Sequence, residues 1–158
     1  MLSHQEYLNK AIDLATRNVL DGGGPFGAIV VTADGREFEG LNRVTANNDP
    51  TAHAEVTAIR TACAESGTFD LSGASLYCSC EPCPMCLSSS LWARIEHVYF
   101  AADRFDAADA GFDDAVFHDF FATEVSKRSM PVEQLTADGA SHLTPFQTWT
   151  TLDTRIEY

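Results

Sequence analysis

The chain has 158 residues, 45% of them hydrophobic, and a formal net charge of -13 at pH 7. That length suits one domain able to bury roughly two-thirds of its unfolded surface, so no disulfide framework is needed to hold a core. With lysine only at Lys10 and Lys127, the charge disfavours a long nucleic acid as partner, and no run nears the ~18 to 20 apolar residues that span a bilayer. Five cysteines make an odd number, with Cys83 and Cys86 at metal spacing. A reducing compartment is the simpler expectation. The start, Ser3-His4-Gln5-Glu6, is polar and helix-like, unlike a secretory leader. The expected location is the cytoplasm.

In chain order, Ser3 and Glu6 form a capping box, and Tyr7, Leu8, Ala11, Leu14, Ala15 and Val19 recur at helical spacing. A helix is predicted to about Leu20. Gly22-Gly23-Gly24-Pro25 breaks it, and Phe26 to Thr32 reads as a strand turning through Ala33-Asp34-Gly35 into a second strand near Glu37 to Arg43. The glycine run reads as a turn, since no Gly-Lys-Ser or Gly-Lys-Thr follows it. Thr51 is expected to cap a helix through about Ala64, with His53 and Glu55 in its first turn. Ala74 to Ser79 and His97 to Ala101 read as buried strands, with a short helix from Pro84 between them.

Beyond Asp103 the pattern weakens: helical segments near Ala107 to Ala110 and Asp114 to Phe121, then a last strand at Val132 to Leu135. Thr144-Pro145-Phe146-Gln147 reads as the start of a C-terminal helix over about 144–158. The alternation of strands and helices predicts an α/β fold: a three-layer α/β/α sandwich around a mixed, mainly parallel five-stranded sheet. Ligands of such sheets gather at the carboxyl ends of strands, where helices begin. No repeat or composition break divides the chain, so residues 1–158 read as a single domain.

His53, Cys83 and Cys86 carry the chemistry. Cys83 and Cys86 are three apart at a helix start, a placement that favours thiolates, and sulfur with imidazole nitrogen selects zinc over magnesium or calcium. Three protein ligands leave one tetrahedral position for water or substrate. Zinc lowers the pKa of a water it binds to about 7, and Glu55, two residues past His53, is the candidate proton carrier. The competing reading is a closed structural site with Cys78 or Cys80 as fourth ligand, although their strand context favours core packing. His4, His97, His118 and His142 have no partner at ligand spacing.

The combination His-x-Glu followed by Pro-Cys-x-x-Cys is the signature of zinc nucleobase deaminases. Gly23 to Ala28, Asn48 to Val56, Ser79 to Cys86, Ala110-Gly111-Phe112-Asp113-Asp114 and the Pro145-Phe146-Gln147 to Tyr158 ending resemble, more narrowly, the bacterial guanine deaminases of the cytidine deaminase-like fold. The resemblance covers nearly the whole chain. It implies one zinc ion per chain, Glu55 as catalytic residue, and a small purine base held by Asn42, Asp114, Phe26, Trp92 and Tyr158. It also implies a homodimer in which the C-terminal helix closes over the partner's site. Four of these have a plainer alternative: core packing for Phe26 and Trp92, a turn for Asn42, a helix cap for Asp114. The implied reaction is guanine to xanthine and ammonia. Deamination of guanosine, ammeline, cytosine or tRNA adenosine is the neighbouring alternative, and a non-catalytic zinc module that binds a protein is the alternative of another class.

Overall fold

A computed structural model gives the structure, describing residues 1–139 and 141–158. The chain forms two compact units, Met1–His118 and Asp119–Tyr158. In the first, α1 (His4–Leu20) opens on the expected capping box: the Ser3 hydroxyl accepts from the Glu6 N–H, and the Glu6 carboxylate accepts from the Ser3 N–H at 2.8 Å. β1 (Gly27–Val31) and β2 (Glu37–Leu41) form the expected hairpin. They are followed by α2 (Val44–Asn47), α3 (Ala54–Ser66), β3 (Ser75–Cys80), α4 (Pro84–Trp92), β4 (His97–Ala102) and α5 (Arg104–Asp109).

Four strands form the sheet, in the order β2-β1-β3-β4. The expected fifth strand is absent among the described residues: Val132 to Leu135 has no strand structure, and Val132 and Leu135 are exposed. The sheet is mixed as expected, but only β3 and β4 pair in parallel, whereas β1 pairs antiparallel with both β2 and β3. The cause is topological. The β2–α3–β3 connection steps across β1, so β2, β3 and β4 share one direction and β1 alone runs against them.

β1 shows how the sheet is covered. Its alternate residues Ala28 and Val30 pack with Ala54, Ala58 and Ile59 of α3, while Ile29 and Val31 pack with Tyr7 and Leu14 of α1. All five β1 residues are buried, which explains why the strand reads as a continuous apolar run rather than an alternating one. Helices thus lie on both sheet faces, as predicted. α3 approaches β2 so closely that a Cβ on Gly40 would lie 2.1 Å from the Ala54 carbonyl oxygen and 2.4 Å from the Ala58 nitrogen. Only glycine lets the helix carrying Glu55 sit at that depth.

Two helix starts differ from expectation. Thr51 does not cap α3: its N–H and hydroxyl both donate to the Asp49 side chain, at 2.8 and 2.7 Å, closing a turn instead. The helix begins at Ala54 with His53 as the flanking residue. The short α2 was not predicted; Asn48 ends it in the left-handed conformation, which asparagine tolerates.

In the second unit, Asp119–Tyr158, Arg128 donates to the Thr123 carbonyl at 3.2 Å and lies 4.9 Å from the Phe120 ring centre. No described residue of this unit is buried. Its helix α7 (Thr144–Thr151) follows α6 (Ala115–Ala122), which straddles the boundary at 118 and 119, and a 3-10 turn at Val125–Lys127. α7 ends well before the expected limit at 158. Thr148, Thr150 and Thr151 turn their hydroxyls onto carbonyls three or four residues back, a local competition that makes threonine a poor helix extender. Leu143, not Thr144, is its N-terminal flanking residue. Among the described residues no helix is long and apolar enough to cross a membrane.

Candidate active site

His53 and Cys83 each occupy the position just before a helix, α3 and α4 respectively, both in extended conformation. Cys86 lies in the first turn of α4 and is fully buried. The chain bends at these points because Pro84 favours the first turn of a helix and cannot continue a strand. As a result the three ligand atoms converge. His53 Nδ1 is 3.6 Å from Cys83 Sγ and 3.5 Å from Cys86 Sγ, and the two sulfurs are 3.7 Å apart.

Those distances test the metal directly. Zinc bonds of ~2.3 Å to sulfur and ~2.0 Å to nitrogen at the tetrahedral angle require edges of about 3.8 Å between sulfurs and about 3.5 Å between sulfur and nitrogen. The cluster matches both, and its atoms lie within 4.8 Å of one another. A hydrogen bond with Cys86 brings the Cys83 thiol down to about 4, with His53 adding to the fall. The same hydrogen bond and burial push Cys86 up. His53 is raised, first by its hydrogen bond with Cys83. The three groups therefore share protons that a bound cation would displace.

Cys78 and Cys80 do not join the cluster. Cys78 is buried in β3, and the Cys80 thiol donates to the Asp103 carbonyl at 3.6 Å. Burial raises Cys78 well above its ordinary value and Cys80 to about 11, so both stay thiols. The set is open at its fourth position on the protein side.

Glu55 lies one residue inside α3, 7% exposed. Desolvation pushes its carboxyl above the ordinary value. It lines, with His53, Cys80 and Cys83, a cavity of about 590 Å³. Phe26 and Asn42 form part of the same wall, from the turn before β1 and the end of β2. Asp114 faces the cavity from just before α6. At the start of α6, Asp113 Oδ1 accepts from the Ala115 N–H at 2.9 Å and the Asp114 carbonyl accepts from the Phe117 N–H at 2.9 Å, while Asp114 Oδ2 lies 3.3 Å from His118 Nε2.

Two expected substrate residues remain. Trp92, at the end of α4, is 69% exposed and does not line this cavity; Tyr158, in the second unit, is 74% exposed. Several wall residues escaped the sequence reading. Phe112 meets Phe26 edge to face with ring centres 5.1 Å apart, and Phe117 lies beside it on the lining. Phe112 sits inside the Gly111-Phe112-Asp113-Asp114 segment, where its neighbours were the signal. Arg104 and Glu81 also line the cavity, joined by a contact of 2.7 Å and by the Arg104 N–H donating to Glu81 at 3.0 Å. Nothing local marks Arg104, because its role depends on a partner 23 residues away.

Residues 1–102 match the family described as the cytidine and deoxycytidylate deaminase zinc-binding region. Over 158 residues the sequence is 46% identical to the guanine deaminase of Bacillus subtilis strain 168, covering 99% of this chain and 100% of that one. The structure is similar to the X-ray structure of guanine deaminase from Bacillus subtilis, with a TM-score of 0.93, 47% identity and 99% of each chain covered. It is also similar to a structure of guanine deaminase from Nitrosomonas europaea, with a TM-score of 0.67 and 30% identity over 72% of this chain and 66% of that one.

Proposed function

The chain belongs to the cytidine and deoxycytidylate deaminase zinc-binding family, and from that premise we propose that it hydrolyses guanine to xanthine and ammonia. The observation that carries the proposal is that the tetrahedral His53, Cys83 and Cys86 set and the buried Glu55 share one cavity with Phe26, Asn42, Phe112 and Asp114. Held by the three ligands, zinc supplies an acidified water as nucleophile for the amine-bearing ring carbon. Glu55 accepts one proton from the attacking water and delivers it to a ring nitrogen, then takes the remaining proton of that oxygen and delivers it to the amine, which departs as ammonia. Its buried carboxyl, raised by desolvation, has the proton affinity that such a carrier needs.

The remaining residues orient the base. Phe26 and Phe112 offer apolar faces to a planar purine, Asn42 both donates and accepts along its edge, and Asp114 meets the leaving amine. The N–H of Cys83, at the start of α4, is the candidate donor to the oxygen that becomes the product carbonyl. A homodimer belongs to the same reading, in which Trp92 and Tyr158 serve the site of a second copy and the tail of one chain closes over the other's site.

Guanosine is the second reading, because a cavity of about 590 Å³ has room for a ribose beside the base. A tRNA substrate is opposed by the charge of -13, which repels the phosphates that such enzymes must neutralise. Ammonia release across guanine, guanosine, adenine, cytosine and ammeline, with bound metal quantified in the same sample, tests the assignment. Guanine as the preferred substrate with one zinc per chain is the expected result. Equal rates on guanine and guanosine would refute a base-only pocket, and stoichiometric zinc without ammonia from any of them would point to a non-catalytic zinc module.

A further inference from the structure

Asn18 is a polar side chain in the middle of an apolar layer. It lies near the end of α1, only 1% exposed, with Leu14 and Ala15 buried just before it. Burying an amide costs stability unless its hydrogen bonds are replaced, and here both donor hydrogens are spent on main-chain carbonyls. Asn18 Nδ2 donates to the Gly24 carbonyl at 2.8 Å and to the Asn42 carbonyl at 3.0 Å. The Asn18 carbonyl in turn accepts from the Gly23 N–H at 2.8 Å.

Both carbonyls belong to the substrate wall. Gly24 O also accepts from the Phe26 N–H at 2.8 Å, and the Phe26 carbonyl accepts from the Asn42 N–H at 3.2 Å. Asn18, Gly24, Phe26 and Asn42 thus form one closed ring of hydrogen bonds. The Asn42 side chain sits against the same turn: its Oδ1 accepts from the Val44 N–H at 3.3 Å, and a Cβ on Gly24 would lie 3.1 Å from that oxygen. Gly23 is equally tight against Asn18, since a Cβ there would lie 2.4 Å from Nδ2. Gly23 and Gly24 are therefore a seat for two amides.

We infer that Asn18 is a positioning residue for base recognition, fixing the main chain that carries Asn42 and Phe26 so that the Asn42 amide meets the purine edge at a set angle. Asn18 does not line the cavity and acts only through those two residues. The inference rests on the proposed base-binding role of Asn42. A side chain that served stability alone would lower the melting temperature without a selective effect on KM.

The test compares Asn18→Ala, Asn42→Ala and the double variant by guanine KM and kcat, zinc content and thermal melting. Asn18→Ala is expected to keep one zinc per chain, hold kcat within about threefold and raise KM about tenfold, the scale of one aimed hydrogen bond. In the Asn42→Ala background it is expected to add less than about twofold, because the two act on the same contact. Effects that multiply, or an unchanged KM in folded Asn18→Ala, overturn the inference. If Asn42→Ala raises KM while Asn18→Ala does not, the positioning role fails and the base-binding reading stands. If Asn42→Ala leaves KM unchanged, the reading of Asn42 fails and the inference falls with it. Should Asn18→Ala not accumulate folded, Gly23→Ala displaces the Asn18 amide from the other side and takes its place in the same comparison.

Discussion

His53 and Cys83 stand at the starts of two neighbouring helices, with Cys86 and Glu55 inside their first turns, whereas Phe26, Asn42 and the pair Phe112 and Asp114 come from three separate connections around the same cavity. The metal corner is set by local geometry: a helix start fixes each ligand within one turn, and the edges come out tetrahedral. The base wall depends on tertiary fit, on the Gly24 turn seating Asn42 and on the segment after α5 bringing Phe112 to Phe26. Chemistry should therefore be lost all at once when the corner is altered, and recognition should erode by degrees when the wall is.

The sharpest break is Glu55→Gln, which keeps the ligand set and the fold but removes the proton carrier. Zinc per chain should stay near one in metal analysis while kcat for guanine falls by about four orders of magnitude, the upper range for general acid–base catalysis. Retained turnover in a zinc-loaded variant would show that the corner does not work as described.

A smaller effect should follow Gly40→Ala. The added Cβ meets the Ala54 carbonyl oxygen at 2.1 Å, so α3 must shift, at a cost of about 1–3 kcal/mol for overpacking. Thermal melting checks the loss. Because α3 carries Glu55, kcat should fall along with stability, and a destabilised variant with native kcat would separate the helix's depth from its chemistry.

At the wall, Phe112→Ala should raise guanine KM by about tenfold through loss of an apolar face, with zinc content and the pH profile of kcat unchanged. A fall in kcat with native KM would move Phe112 from the wall to the corner.

The smallest change concerns the Glu81 and Arg104 pair at the cavity lip. The Arg104 side chain holds the Glu81 carboxyl below its ordinary value, so the pair stabilises the fold above the ordinary glutamate pKa and loses that contribution as pH falls through the depressed one. Glu81→Gln should melt slightly earlier than the parent near pH 7. The gap should close at acidic pH, as expected for a partly exposed pair that salt and solvent screen. A gap that widens on acidification would reverse the assignment.

This contrast also explains what could be read from the sequence. The capping box at Ser3, the Asp34-Gly35 hairpin and the Pro84 helix start are local signals, and each appears where the residues place it. So does the Cys83 and Cys86 pair, whose spacing is a property of one helix turn, while His53 joins it from the start of another helix. The β1 direction was not legible, because a crossover that steps over a strand leaves no mark in hydrophobic periodicity. Thr51 looked like a cap until Asp49 took both its donors. In the second unit, Trp149, Leu152 and Ile156 recur at helical spacing after the Pro145 start but are exposed. Val132 and Leu135, in the last predicted strand, are exposed as well. The proposed dimer would account for both.

The central claim is that the open three-ligand corner and the purine wall act on one substrate. The most direct measurement is the joint yield of xanthine and ammonia from guanine by the purified protein, before and after chelation and again after zinc is restored. Equal amounts of both products, lost with the metal and recovered with it, are predicted. Guanine left intact by fully zinc-loaded protein would contradict the account.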